Sequence, residues 1–153
     1  MNFETIFSLS SLLVMPFWLL LIFLPRWRVT ERLVAGPWLA VPAALLYAVL
    51  VLPRFGEVFT AVSNPTLAGI TTLLASPAGA TVAWVHFLAF DLFVARWVYL
   101  DGRSRKISSW FISPTLFMVL MLGPVGFLLY LVVRTAVAYQ SPPTVSADAI
   151  SGL

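Results

Sequence analysis

Apolar residues run with few interruptions from Phe3 to Leu24, from Leu33 to Leu52, from about Ala80 to Leu100 and from about Ser108 to Val133. A helix needs about 20 such residues to cross the hydrocarbon layer of a bilayer, so each run predicts a transmembrane helix. The first run is too long for the core of a signal peptide, has no positive flank before it and shows no small-residue cleavage site, so it reads as a retained span. It stops at Pro25-Arg26-Trp27-Arg28, an aromatic and two cations suited to the membrane interface. The second run carries Gly36, Ala40, Ala44 and Ala48 at four-residue intervals, a stripe of small residues that would let another helix approach closely. Between the second and third runs the pattern changes. Ser63-Asn64-Pro65 is a helix-start signal, Leu67, Ile70, Leu73 and Leu74 share a helical face, and Ser76-Pro77 ends it. This predicts a short helix over 65–75 lying in the interface, with a re-entrant segment as the alternative, because Thr66, Thr71 and Thr72 are not charged enough to demand water. In the fourth run Pro114 and Pro124 are expected to bend the helix. The segment 136–153, with Pro142-Pro143 and scattered small polar residues, reads as a disordered tail. The fold class expected is therefore all-α integral membrane: one domain over 1–135, a bundle of four transmembrane helices with the short interfacial helix between spans two and three.

Composition agrees. The chain has 153 residues, of which 61% are hydrophobic and 10% charged, with a mean hydropathy of +0.98. A soluble globule of that make-up would lack the polar surface to cover itself. The net charge of +3 sits in connections, with no nucleic-acid footprint. Arg26, Arg28 and Arg32 follow span one, and Arg103, Arg105 and Lys106 follow span three, which four spans would place on one side. Arg54 and Arg134, with Glu4, Glu57 and Asp148, would lie on the other, so both termini are expected away from the cytoplasm. The Ala, Arg and Trp content fits a GC-rich bacterial genome, hence a bacterial inner or photosynthetic membrane. There is no cysteine and a single histidine. Thiol chemistry is excluded, no metal site or cofactor is expected, and the histidine is left at most as one axial ligand to a pigment or haem.

The third span holds the polar residues that matter: His86, Asp91 and Arg96. An ionised carboxylate near mid-bilayer costs about 2.5–3.5 kcal/mol on insertion scales, so Asp91 needs either a partner or a proton. His86 and Arg96 each lie five residues away, about 7.5 Å along a helix axis and roughly 140° around it. Neither shares its face, and Ser113, Thr115, Tyr130 or Trp18 of other spans are equally fitting partners. Two readings stand side by side. In one, Asp91 is a structural acceptor capped by hydroxyls and an indole, His86 is an interior histidine bonded across helices, and Arg96 reaches to the basic side. In the other, a carboxylic acid in an apolar site donates a proton and a neutral imidazole accepts one, which suits isomerisation of a lipid-soluble substrate. Asp101-Gly102 reads as a helix-ending turn. The six Trp, four Tyr and twelve Phe residues would line a groove for a long flat molecule, and interfacial aromatic belts account for many of them equally.

The stretch Trp84-Val85-His86-Phe87-Leu88-Ala89-Phe90-Asp91-Leu92-Phe93-Val94-Ala95-Arg96, continuing to Tyr99-Leu100-Asp101-Gly102, and the later Gly123-Pro124-Val125-Gly126 resemble the abscisic-acid-deficient-four family of membrane proteins. The likeness covers most of the chain, from about Met1 to Arg134. Plant members of that family are implicated in making the carotenoid neoxanthin from violaxanthin. The resemblance implies opening of an epoxide by protonation while a proton leaves the polyene side, giving an allene without cofactor. It fixes no catalytic residues; Asp91 as acid and His86 as base, with Arg96 beside them, are the candidates because they are polar in lipid and match the motif.

The function expected is a carotenoid-pathway membrane protein, either an isomerase-like enzyme or a carotenoid-binding helper. The alternative is a structural or assembly subunit packing through the small-residue face of span two. A proton path through Asp91 ranks behind both, since four spans with a single acidic group make a poor relay. Expected partners are the lipid bilayer, a carotenoid or other hydrophobic ligand, and other membrane proteins.

Overall fold

The structure is a computed structural model that describes residues 2–140, and all regular structure among these is helical. Helix α1 (Phe3–Phe23) opens on Asn2, whose side chain accepts from the Thr5 N–H, and closes ahead of Pro25, which disfavours helical dihedrals in the residue before it. Its buried face is Ser10, Val14, Trp18 and Leu21, spaced by three and four residues. Helix α2 (Arg28–Ala35) is short and amphipathic, burying Thr30 and Val34. A 3-10 turn over Pro37–Leu39 leads into α3 (Val41–Val51), and a second over Leu52–Arg54 leads into α4 (Phe55–Ser63). Then come α5 (Leu67–Ala75), α6 (Pro77–Ser104) and α7 (Ser109–Gln140).

Four of these segments are long and apolar enough to cross a membrane: Phe3–Phe23, Val41–Ser63, Pro77–Ser104 and Ser109–Val137. The second is displaced from the expected 33–52. Gly36-Pro37 breaks the run at its start, so that 28–35 becomes a separate helix. At its end Pro53 stands in a 3-10 turn, where its missing N–H costs little, and the chain continues as helix to Ser63. Arg54, just beyond the expected end of the span, pairs with Glu57 on the helix surface at 2.6 Å. The small-residue stripe does not form one face: Gly36 precedes the helix and Ala44 is exposed, while Leu39, Ala43 and Leu50 are buried.

Helix α6 is central, packing against α1, α3, α5 and α7. Its buried positions Val85, Leu88, Leu92, Ala95, Tyr99 and Gly102 alternate spacings of three and four, the seam of a helix surrounded by others. It begins on Ser76, whose hydroxyl accepts from the Gly79 N–H at 3.0 Å, and runs through Asp101-Gly102, which are helical rather than a turn.

Helix α7 does not use its length to cross. Non-helical dihedrals at Leu122 and Gly123 precede Pro124, whereas Pro114 is passed without such a departure. A side chain at Gly102 would meet both the end of Ile112 and, at 3.8 Å, the hydroxyl of Tyr130. In a straight helix those two residues would stand about 27 Å apart. A Cβ at Gly126 would likewise fall on the backbone of Met118 and Val119, which a straight helix holds about 10 Å away. The chain therefore folds back at Gly123 into a helical hairpin. A first arm, 109–121, runs antiparallel to α6, and a second, 124–140, returns parallel to it. This overturns the expected place of Arg134: it lies at the basic end of the bundle, not opposite it, and Phe3 and residue 140 stand at opposite ends. Residues 136–140, expected in a disordered tail, extend the second arm; the rest of that segment lies outside the described residues.

Polar bonds hold the returning arm. Asp101 of α6 accepts from the Tyr130 hydroxyl and pairs with Arg134 at 3.1 Å and with Arg105 at 2.9 Å. Trp97 adds an edge-to-face contact with Tyr130 and lies under the Arg134 guanidinium, 5.7 Å from its ring centre. On the other flank, Arg96 donates to the carbonyls of Val34 (2.8 Å), Gly36 (2.8 Å) and Ala35 (3.0 Å), the acceptors that α2 leaves unpaired at its end.

Two consequences follow from these anchors. Tyr130→Phe removes one bond to a charged acceptor and should lower stability in detergent by about 2 kcal/mol, with Asp101→Asn costing more, as read from denaturant unfolding. Arg96→Met strands three carbonyls and should cost about 2–3 kcal/mol, with amide exchange rising selectively in α2; unchanged exchange there would refute the capping role.

Candidate functional site

Because α7 turns back partway along α6, it leaves the flank of α6 beyond the turn uncovered. A cleft of about 610 Å³ results, within the size range of small-ligand sites. Its walls are aromatic, with Trp84, Phe87 and Phe90 of α6 facing Phe127 of the returning arm, and Met121 and Pro124 at the hairpin tip. Two polar side chains enter it, His86 and Asp91. Phe87 and Phe90 remain more than half exposed, so the cleft opens sideways toward the surroundings of the helices.

Asp91 meets the hairpin tip directly. A Cβ at Gly123 would stand 2.5 Å from Asp91 Oδ1, so only a residue without a side chain lets the carboxylate reach this point. The second arm starts at Pro124, and the first N–H groups of any helix lack partners within it. The positive end of that arm's dipole therefore lies beside the carboxylate. The side chains expected as partners do not supply one. Tyr130 bonds to Asp101, Thr115 Oγ1 donates to Phe111 O at 2.7 Å, Ser113 faces a groove between α1 and α7, and the buried Trp18 Nε1 has no acceptor among the described residues.

Among the described residues His86 is held by ring packing and not by a hydrogen bond. Its ring stacks on Phe90 with centroids 4.7 Å apart and tilts against Tyr47 of α3 at 5.3 Å. It stands between the cleft and a smaller cavity of about 220 Å³ beneath α4 and α5. Thus His86 and Asp91, though on different faces of α6, border one space. Arg96 does not join them, being turned to the end of α2.

Sequence reasoning missed the tip itself. Gly123-Pro124 was read as a bend in a crossing helix, although a glycine before a proline is also a signal for chain reversal. It missed the Asp101 anchor as well, for which the i,i+4 pair Tyr130 and Arg134 was the available sign.

Residues 5–130 match a family profile described as ABA DEFICIENT 4-like. The chain is also 25% identical over 143 residues to the Arabidopsis thaliana protein named Protein ABA DEFICIENT 4, chloroplastic, with 90% of this chain and 64% of that protein covered. It therefore spans less than two thirds of that relative's length. No solved structure matches the chain. The profile runs from the first helix through the central one to the hairpin, taking in His86, Asp91 and the Gly123-Pro124 tip, and the chain belongs to the ABA DEFICIENT 4-like family.

Proposed function

We propose that this is a membrane-embedded carotenoid-pathway protein that takes one end of an elongated polyene into the aromatic cleft and isomerises it by proton transfer without a cofactor. The observation that carries this reading is the Asp91 carboxyl group, set by a glycine-proline tip into an apolar cleft that it shares with His86. A protonated Asp91 gives its proton to an epoxide oxygen as the carbon–oxygen bond breaks. His86 takes a proton from the polyene carbon as the allene forms. One proton enters and one leaves, so substrate and product are isomers, and return of the proton from imidazolium to carboxylate resets the site. The aromatic walls supply contact area for a conjugated chain, and the lateral opening suits a substrate that arrives from lipid. Arg96 has no part in the chemistry and acts on the fold.

We place α5 along the membrane face. Thr71 and Thr72 return their hydroxyls to carbonyls of their own helix, at 2.7 Å and 2.9 Å, so the helix tolerates contact with apolar surroundings on one side and water on the other.

Protein purified in mild detergent from its own host is expected to carry carotenoid, visible in its absorption spectrum; a colourless preparation that copurifies with other membrane subunits would favour an assembly role instead. With an epoxy-carotenoid supplied in micelles, Asp91→Asn should keep the fold and lower turnover by about 10²-fold or more. Equal activity in wild type and Asp91→Asn would sink the acid–base assignment. Asp91→Leu should be neutral or stabilising toward unfolding while equally inactive. Gly123→Ala should displace the carboxylate and reduce turnover by about 10²-fold with Asp91 still present.

A further inference from the structure

A second site lies at the basic end, apart from the cleft. Between the α1–α2 connection, the end of α6 and the start of α7 is a cavity of about 490 Å³ whose polar border is Arg26, Glu31, Tyr99, Arg103, Lys106, Ser108 and Ser109. Pro25 and Ser109 also border an apolar groove of about 510 Å³ that continues between α1 and the first arm of α7, walled by Ile22, Phe23, Trp110, Pro114 and Phe117. Trp110 and Phe23 are 86% and 71% exposed, so the groove faces outward along the helices. A largely cationic chamber at the end of the bundle thus adjoins a greasy groove on the outer surface of the helices.

The cations of this end are not equivalent. Arg103 is committed to Glu31 at 2.6 Å and to the Tyr99 hydroxyl at 3.1 Å, while Arg105 and Arg134 are committed to Asp101. Arg26 and Lys106 have no acidic partner among the described residues. Lys106 is also held in the left-handed region, with φ at 56°. It closes α6 in a Schellman turn, Ile107 N–H donating to Gly102 O at 2.9 Å and Lys106 N–H to Arg103 O at 3.0 Å. Glycine would take that backbone position without penalty, and a lysine there sets its charge at the mouth of the cavity. Two uncommitted cations with serine hydroxyls and the start of α7 present the kinds of donor that phosphate oxygens accept from. The adjoining groove adds what a free phosphate would not use, a wall for an acyl chain.

From this we propose that the basic end of the bundle binds one anionic phospholipid, its phosphate against Arg26 and Lys106 and one acyl chain laid in the groove between α1 and α7. A zwitterionic lipid brings its own cation beside Lys106 and is disfavoured.

The test uses the full chain in nanodiscs of phosphatidylcholine with a minority of spin-labelled lipid. Labelled phosphatidylglycerol should show an immobilised population roughly tenfold richer than labelled phosphatidylcholine at equal doping. The double variant Arg26→Gln, Lys106→Gln should remove that preference, and Ser113→Trp, which fills the groove, should release the immobilised chain. Arg28→Gln, on exposed α2, should leave the preference intact. Equal immobilisation of the two lipids by the wild type, which needs no variant to fold, would overturn the proposal, as would an unchanged preference in the double variant. Displacement of phosphatidylglycerol by inorganic phosphate alone would also overturn it, leaving a simple phosphate site.

Discussion

The reversal of the last helix at Gly123-Pro124 is the constraint on which the rest of this molecule turns. Proline at 124 removes a backbone donor and pushes the residue before it out of the helical region, and Gly126 lets the two arms approach backbone to backbone. Those local facts permit a reversal but do not require one, since proline kinks in membrane helices usually leave the helix crossing. What commits the chain is the far end of the second arm, where Tyr130 and Arg134 meet Asp101. A carboxylate with three partners at the membrane boundary binds the returning arm to α6. It also keeps Arg134 with the other cations rather than at the opposite face.

In lipid there is little hydrophobic gain in pressing one apolar helix against another, so polar bonds and close packing decide how helices sit. The structure follows that logic. Arg96 closes the end of α2, Arg103 joins Glu31 to Tyr99, and Trp84 reaches Ser11 across α1 and α6 at 3.1 Å. The first two tie α6 to α2 and the third ties it to α1, so polar bonds hold the central helix to its neighbours while much of the apolar surface remains uncovered.

The same reversal makes the cleft. A straight fourth helix would cover Trp84, Phe87 and Asp91, whereas a hairpin that stops at the level of Asp91 leaves them bordering open space. The carboxyl group therefore borders an open cleft, beside the positive end of a half-helix. His86 reaches that space although it points from another face of α6, because the cleft is wide enough to span both.

Hydrophobic periodicity and span length determined the helical class and the four apolar segments, because those depend only on how many consecutive residues lipid accepts, whereas the central place of α6 came from its packing. The polarity of Asp91 and His86 within an apolar run singled them out for the same reason. Boundaries that rest on proline were read less well: the second span was ended at Leu52, before Pro53, and Gly36-Pro37 was kept inside it, because a proline's effect depends on whether its turn of helix continues. The aromatic residues divided as sequence could not divide them. Trp27, Trp38 and Trp110 are exposed and fit an interfacial belt, whereas Trp84 and Trp97 pack against α1 and α7. Arg96 was named a site candidate because it shares the motif, and its guanidinium bonds to carbonyls some sixty residues away in the chain. The tertiary structure alone decided that Tyr130 pairs with Asp101 rather than Asp91, and that the last helix returns. Both depend on contacts between residues distant in sequence, which a pattern along one chain does not encode.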